Sequence, residues 1–506
     1  MAIFRLPWFR ALLAFGAGVS TLFAFAPFSF YPLAVAGPLL LFLLWLDASP
    51  RRAFREGWFF GLGLLGFGVS WLHISIDEFG NVGTPLAVLI TTLFIVLLSL
   101  FYGLVGWLGR VLTANGLGRW ESLVLFTSLW VLSEWLRGWL FTGFPWLSLG
   151  YSQIDSPLAG WATVFGVYGV SWAVVLTAAG LALSIVGTPR QRLLALAGLL
   201  LLWGAGLSLK SIDWSLPSGD SLRVAMIQGN VLQQEKWKRR NLVPTLDLYA
   251  RLSRLNWDRD LIIWPETAVP AFSYQVEKPF LAPLHKEAAR RGVTILLGIP
   301  VQKQGGRYFN SMITLGDDRN VYYKRHLVPF GEFMPLKFML QPLIDWLQIP
   351  MSDFTAGEAE KPLMTVAGHP AAISICYEDV FGEEVIEALP EAAFLVNASN
   401  DAWFGDSLAP RQHLEIARMR SLETGRYLLR STNTGISALI GPKGEVVADS
   451  PAFEQHVLRG EVRPMKGLTP YGRVGNRGVV LLSLLVLFVI TWLARRGNRN
   501  GFGTDS

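Results

Sequence analysis

Cysteine is almost missing from this chain: Cys376 is the only one in 506 residues. A lone thiol cannot close an internal disulfide, which leaves it as a buried spectator or a nucleophile. Charge is scarce too, with 16% charged against 52% hydrophobic residues and a mean hydropathy of +0.38. That is too much apolar surface for an ordinary soluble protein and indicates a membrane protein. Several chemistries leave no trace. There is no Gly-x-Ser-x-Gly, no phosphate loop and no His-Glu-x-x-His, which disfavours a lipase-type serine hydrolase, a P-loop nucleotide site and a zinc protease. His285, His326, His369, His413 and His456 stand isolated from one another, so no metal site is indicated and no cofactor is expected.

What is present is unevenly spread. The apolar excess fills the chain to about Lys210 and returns over residues 478–493, whereas the stretch between mixes charge, Pro and Gly like a globular domain. A window of about 20 residues, the length needed to cross some 30 Å of hydrocarbon, predicts seven helices, centred on residues 11–25, 31–46, 57–76, 85–108, 122–141, 160–185 and 193–209, with 479–493 as an eighth. Arg5, Arg10 and Ala24-Phe25-Ala26 give the first the secondary look of a cleavable leader. Basic residues in short loops stay on the cytoplasmic side. Arg5 and Arg10, Arg51, Arg52 and Arg55, Arg110 and Arg119, Arg190 and Arg192, and Arg495, Arg496 and Arg499 all fall on one side of an eight-helix count, while Asp77 and Glu78 begin the other. Only Arg137 breaks the rule. The expected division is therefore a helical bundle over 1–210, an extracytoplasmic domain over 211–470, and a last helix with its tail over 471–506, both termini being cytoplasmic. The pI near 9.4 then reflects topology, and nucleic acid is not an expected partner, because the basic residues form no single patch.

Gly61, Gly63 and Gly66 have dinucleotide-fingerprint spacing but lie in a predicted spanning helix with no strand before them, so close helix packing is the better reading. Glu134 and Arg137, three residues apart on another such helix, read as an internal ion pair or as groups serving lipid headgroups.

In the polar stretch, residues 223–228, 261–264, 294–299, 312–315, 321–324, 371–376, 394–397 and 437–440 read as short buried strands. Residues 245–255, 279–290 and 412–424 have helical spacing. Apolar strands with helices between them imply sheets covered by helices. Glu266, Lys324 and Cys376 each sit at or just beyond a predicted strand end. Their chemistry is complementary. A thiol of ordinary pKa, about 8.5, is only a few per cent thiolate at neutral pH and needs a carboxylate to accept its proton during attack. An ammonium beside the same carbonyl carbon stabilises the oxyanion that forms.

Trp264-Pro265-Glu266, Lys324 ahead of Pro329-Phe330-Gly331-Glu332-Phe333-Met334-Pro335, Ile375-Cys376-Tyr377-Glu378 and Asn400-Asp401-Ala402-Trp403-Phe404-Gly405 resemble the signatures of the nitrilase, or carbon-nitrogen hydrolase, superfamily. With the helical block, Thr142-Gly143-Phe144-Pro145-Trp146, Gln228-Gly229-Asn230 and the terminal helix, nearly the whole chain is similar to the bacterial apolipoprotein N-acyltransferase family. The resemblance implies a transmembrane bundle of about eight helices plus an extracytoplasmic α/β nitrilase-like αββα sandwich, placed in the bacterial inner membrane. It implies a Glu266-Lys324-Cys376 triad, with Glu332, Glu378, Tyr377 and Trp237 as supporting or substrate-side residues. It also implies a phospholipid acyl donor, a diacylglyceryl apolipoprotein acceptor, and a monomer in the bilayer. Residues 333–350, rich in Phe, Met, Leu and Trp, read as a mobile lid or arm touching the outer leaflet, with a core helix as the other reading. Two other classes stay open at this point: a membrane-tethered nitrilase-type amidase with water as acceptor, and a transporter or receptor whose polar domain only binds ligand.

Overall fold

In a computed structural model, described over residues 6–80, 82–114, 116–317, 319–333, 353–358 and 360–501, the chain separates into two units. One takes in the chain up to His73, Val88–Ile212 and the chain from Val474; the other is Ile74–Ala87 with Asp213–Arg473. The expected lid or arm falls outside the described residues, Phe333 excepted.

The first unit is helical because its apolar residues run on without the turn signals that would break them. Its helices are Pro7–Leu22, Leu33–Leu46, Pro50–Gly68, Arg119–Arg137, Ala162–Val186, Pro189–Ser211 and Arg477–Gly501, with most of Thr84–Thr113. Among the described residues, three spans are long and apolar enough to cross a membrane: Thr84–Thr113, Pro157–Val186 and Pro189–Ser211. A fourth is available if Pro50–Gly68 and its bent continuation Leu72–Glu78 count together; Leu33–Leu46 and Arg477–Leu493 are shorter apolar helices. The single helix expected over 57–76 is broken after Gly68, where Gly66 and Gly68 weaken helical propensity. Gly63 serves packing, as the sequence suggests: a Cβ there would press on the backbone of Phe15 and Val19 in Pro7–Leu22. Pro189–Ser211 leaves most of its apolar surface bare, with Leu193, Leu194, Leu200 and Leu201 all more than half exposed. Surface of that kind is stable against hydrocarbon and not against water.

Glu134 and Arg137 are both buried, but their hydrogen bonds run to a loop. Arg137 donates to the carbonyls of Phe144 (2.8 Å) and Trp146 (2.6 Å), and Glu134 Oε1 accepts from Trp130 Nε1 and the Leu149 N–H, each at 3.0 Å. Arg137 staples Thr142-Gly143-Phe144-Pro145-Trp146 and Glu134 the chain just after it; Phe141, Thr142 and Gly143 at the start of this loop take left-handed φ.

The second unit is built on period-two alternation with both faces apolar, the pattern of strands covered on either side. Its strands are β1 (Ser215–Pro217), β2 (Leu222–Gln228), β3 (Leu261–Ile263), β4 (Thr294–Gln302), β5 (Tyr308–Leu315), β6 (Val321–Tyr323), β7 (Leu363–Val366), β8 (His369–Ile375), β9 (Phe394–Ser399), β10 (Leu428–Thr432), β11 (Ala438–Ile440), β12 (Val446–Asp449), β13 (His456–Val462) and β14 (Met465–Gly467). Among the described residues they form two six-stranded sheets, β13-β2-β3-β4-β5-β6 and β12-β11-β10-β9-β8-β7, and a small β1-β14 pair. The centres are parallel: β2 with β3 and β3 with β4 in one sheet, β8 with β9 and β9 with β10 in the other.

Alternate residues decide the layers. Val224, Met226, Leu261, Ile263 and Leu296 meet Ile373, Ile375, Val396, Ala398 and Leu429 between the sheets. Their neighbours Ala225, Ile227, Ile262 and Ile295 turn outward onto the helices Arg239–Arg254 and Ala282–Arg291, through Tyr249, Leu252, Leu284 and Ala288. On the far side, Ala372, Leu395 and Leu428 pack against Val385 and Ala417 of Gly382–Ile386 and Ala409–Thr424. The order helix, sheet, sheet, helix has the sheets covered by helices that the strand pattern implies and is the αββα sandwich that the resemblance implies.

Gly298 on β4 lies against the chain just beyond β3. A Cβ there would come within 2.8 Å of the Glu266 Cα. Gly298→Ala is therefore expected to lower stability by about 1–3 kcal/mol and to displace Glu266, with a loss of Cys376 reactivity larger than the fall in melting temperature alone explains; thermal unfolding and thiol alkylation read the two effects.

Candidate active site

The carboxyl ends of three strands, β3 and β8 from the parallel centres and β6 from an antiparallel edge, bring the expected residues together. Trp264 and Pro265 carry Glu266 beyond β3, Lys324 follows β6 directly, and Cys376 follows β8 at the first residue of a short turn, Cys376–Val380. Lys324 Nζ lies 2.8 Å from Glu332 Oε2 and 3.8 Å from Glu266 Oε1. Asn310 Nδ2 donates to Glu266 Oε1 at 2.7 Å and to Glu332 Oε1 at 3.1 Å, bridging the two carboxylates, and the Val328 N–H donates to Glu332 Oε2 at 2.8 Å. Water is nearly excluded: Glu266 is 5% and Lys324 1% exposed.

Burial sets the protonation states. It raises the Glu266 carboxyl above its ordinary value, against the pull of Lys324. It would lower the Lys324 ammonium, but Glu332 and Glu266 outweigh it and hold lysine above its usual range. The Cys376 thiol is raised by burial first and by Glu266 next, with Lys324 pulling the other way. The resting thiol is thus protonated, with the Glu266 carboxyl and the Lys324 ammonium as its charged neighbours.

Cys376 has φ +52°, a left-handed conformation that costs a non-glycine residue about 1–2 kcal/mol. Glu378 and Asn397 hold it there. Glu378 Oε2 accepts the N–H of Ile375 at 2.7 Å, and its Oε1 accepts the Arg325 N–H (2.6 Å), the Tyr322 hydroxyl (2.9 Å) and the His326 N–H (3.1 Å). Burial pushes the Glu378 carboxyl up to about 7, while Lys324 and the backbone N–H groups pull it down. Asn397 Nδ2 donates to the Cys376 carbonyl at 3.2 Å. The sharp turn leaves the thiol at the strand end, where a strained backbone is a feature of reactive positions.

The other expected residues are less central. Tyr377 continues the Cys376 turn with its ring edge-on to Phe381 and His326. Trp237 is 52% exposed, next to Lys236.

Sequence reasoning missed a buried charge cluster behind the turn. His413 Nε2 lies 2.8 Å from Asp379 Oδ1 and Nδ1 3.2 Å from Asp401 Oδ1, while Arg430 reaches Asp401 at 2.9 Å and Asn397 Oδ1 at 2.5 Å. Burial and Arg430 would lower the His413 imidazolium, but the two aspartates overcome both and raise it. Lys236 and Asn310 were missed as well. The available signal was polarity out of place: Asn310, Asn397 and Arg430 interrupt apolar strands, and a polar side chain at such a position must have a partner.

Two family models match the chain: one described as the apolipoprotein N-acyltransferase N-terminal domain, over residues 17–180, and one as carbon-nitrogen hydrolase, over 223–467. Curated relatives named apolipoprotein N-acyltransferase include one from Methylococcus capsulatus, 48% identical and covering 92% of each chain, and one from Nitrosomonas europaea, 43% identical over 97% of this chain and 99% of that one. A third, from Pseudomonas putida, is 43% identical over 96% of this chain and 97% of its own. The solved structure of Nit3 from Saccharomyces cerevisiae, a nitrilase-superfamily member, aligns with 49% of this chain and 93% of its own at a TM-score of 0.37 and 18% identity.

Because four donors converge on Glu378, an amide at that position turns one N–H against another. Glu378→Gln is expected to cost about 1–3 kcal/mol and to lower kcat/KM by about tenfold or more as the Cys376 turn relaxes; thermal unfolding and steady-state kinetics on the same preparation check both.

Proposed function

This chain belongs to the family of apolipoprotein N-acyltransferases, and from that premise we propose that Cys376 relays a fatty acyl chain from a phospholipid to a lipoprotein amine through a thioester. The protein is an acyltransferase of lipoprotein N-acylation. The observation that carries the relay is the buried meeting of Glu266, Lys324 and Glu332 beside the only thiol in the sequence.

In the first half-reaction the Cys376 sulfur attacks the sn-1 ester carbonyl of the donor as Glu266 accepts the thiol proton. Charge collects on the carbonyl oxygen, where the Lys324 ammonium and the backbone N–H groups following Cys376 oppose it. Collapse breaks the bond to the glycerol oxygen, Glu266 returns the proton to that oxygen, and a lysophospholipid leaves. In the second half-reaction the neutral α-amino group of a diacylglyceryl-cysteine attacks the thioester and Glu266 takes a proton from the amine. As the amide forms the carbon–sulfur bond breaks and Glu266 returns that proton to the departing sulfur, which restores the resting thiol. Glu332 and Glu378 support the triad; Tyr377 and Trp237 serve the substrate side. Sequential use of one site by two bulky lipids gives ping-pong kinetics.

The setting follows from arginine placement and the bare apolar helices. The helices of 1–210 and 471–506 lie in the bacterial inner membrane with both termini cytoplasmic, and 211–470 works on the periplasmic side. There no nucleotide-driven activation is available, so the donor brings its own reactive ester, and a thioester keeps that reactivity for an amine. A phospholipid, a diacylglyceryl apolipoprotein and the bilayer are the partners, and the working unit is a monomer.

Cys376→Ala is expected to abolish both lysophospholipid release and acyl transfer, and mass spectrometry of wild type incubated with phospholipid alone should place one acyl group on the Cys376 peptide; substantial transfer by the variant would end the mechanism. The pH profile follows from the raised Glu266 carboxyl. As pH falls, Glu266 is protonated earlier than an ordinary carboxylate and can no longer accept the thiol proton, so the acid limb of kcat/KM lies above the ordinary glutamate value of 4.5, while Glu266→Gln removes the limb together with most of the rate.

A further inference from the structure

The charges around the thiol do not balance without one more residue. With Glu266 and Glu332 ionised and Lys324 protonated, the cluster carries a net negative charge before the thiol gives up a proton, which opposes any further negative charge at the same place. The missing charge is in the turn Gln233–Lys236. Lys236 is 2% exposed, and its Nζ donates to the Glu266 backbone carbonyl at 3.3 Å. The residue after that carbonyl, Thr267, has φ +46°, so the carbonyl belongs to a stretch of chain that needs holding. The turn is itself pinned by a ladder of amides: Asn433 Oδ1 accepts the Val231 N–H at 3.0 Å, Asn433 Nδ2 donates to Asn400 Oδ1 at 3.1 Å, and Asn400 Nδ2 donates to Gln233 Oε1 at 2.7 Å.

We propose that Lys236 is a positioning residue for Glu266: its ammonium fixes the Glu266 backbone and, as the fourth charge of the cluster, keeps the Glu266 carboxylate ionised and ready for the thiol proton. The groups that face Glu266 are Lys324 beyond β6, Glu332 on the following segment, Asn310 on β5, the Cys376 thiol and Lys236 itself. Burial lowers Lys236 to about 8, with Glu266 acting in the opposite sense. Its effect passes through Glu266 and not through any contact with substrate. A buried lysine would be a poor choice for a turn on packing grounds alone, since an apolar side chain such as methionine lacks the desolvation cost; the charge is what the position uses.

The inference rests on Glu266 being the base, and its test does not depend on acyl transfer. Because Cys376 is the only cysteine, the rate of its alkylation by iodoacetamide, followed by intact mass on the full chain in detergent micelles over a pH series, reports thiol deprotonation directly. Lys236→Met is expected to move the acid limb of that profile up by about one pH unit, a tenfold loss of ionised Glu266, and Lys236→Arg to restore it. In steady-state transfer from a labelled phospholipid the same variant should lose kcat by about tenfold with donor KM held within about twofold. On a Glu266→Gln background Lys236→Met should add nothing, since the group it acts through is gone. Lys236→Gln, which keeps a donor for the carbonyl without the charge, replaces Lys236→Met if that variant fails to fold and should show the same shift. An unmoved alkylation profile in the neutral variants, or an equal shift in Lys236→Arg, overturns the proposal. Absence of acyl transfer by wild type would instead overturn the reading of the enzyme, leaving the alkylation result to stand by itself.

Discussion

Two carboxylates and an ammonium can leave water only if they leave it together. Lys324, 2.8 Å from Glu332 and 3.8 Å from Glu266, is what allows two acids to sit in a pocket that is almost dry, and Asn310 bridges them with one amide. Removing a partner from such a set leaves an uncompensated buried charge, at a cost of about 3–5 kcal/mol, so the positions of all three are fixed by one another. They come from the segment beyond β3, the end of β6 and the segment after it, and from β5 by way of Asn310. The sheet must therefore keep β3, β4, β5 and β6 in register for the cluster to exist. Fold and site share this constraint: the parallel and antiparallel pairings that bury the apolar faces also bring the charges within reach.

Cys376 depends on that cluster and on a second one behind it. Its left-handed φ is disfavoured in an isolated chain and persists because Glu378 ties the preceding N–H while Asn397 ties its carbonyl. Asn397 is held by Arg430, which is held by Asp401 and flanked by His413 and Asp379. Two aspartates, an arginine and a histidine raised toward its charged form stand behind one strained residue. A hydrogen-bonded cluster of opposite charges at that place rigidifies the turn.

The sandwich was legible because its strands are apolar on both faces and end in Pro, Gly or polar residues, so β2, β3, β4, β8 and β9 announce themselves as short runs. β10 did not: Leu428–Thr432 carries Arg430 at its centre, and a charged residue in a five-residue strand argues against burial until its partners are known. β7, β12 and β13 border the sheets, where half the residues face solvent and the pattern fades. In the helical unit the apolar blocks marked where helices lie but not where they break, since Gly66 and Gly68 read equally well as packing residues and as the end of a helix. Glu266, Lys324 and Cys376 could be singled out because each is a reactive type at a strand end. Glu332 and Glu378 came only with the family resemblance, and Asn310, His413 and Lys236 did not come at all, because they matter through partners far away in sequence, and a lone histidine or a lysine in a polar turn carries no sign of what it will meet.

Charge bookkeeping explains why a buried site suits the proposed relay. In the proposed relay Glu266 and Glu332 start ionised and Lys324 and Lys236 protonated, so that the four sum to zero while the thiol keeps its proton. When sulfur attacks, its proton moves to Glu266 and one negative charge appears on the carbonyl oxygen, so the sum stays zero. Collapse returns the proton to the departing glycerol oxygen and restores Glu266, again without change, and attack by a neutral amine repeats the cycle. No step asks the pocket to hold an unpaired charge, and so the low dielectric that makes isolated ions costly here only strengthens the pull of Lys324 on the oxyanion. Raising the Cys376 thiol and the Glu266 carboxyl together serves the same end. Were only the thiol raised, proton transfer to Glu266 would be steeply uphill; with both raised by the same burial, the gap between donor and acceptor narrows and the proton moves as the carbon–sulfur bond forms.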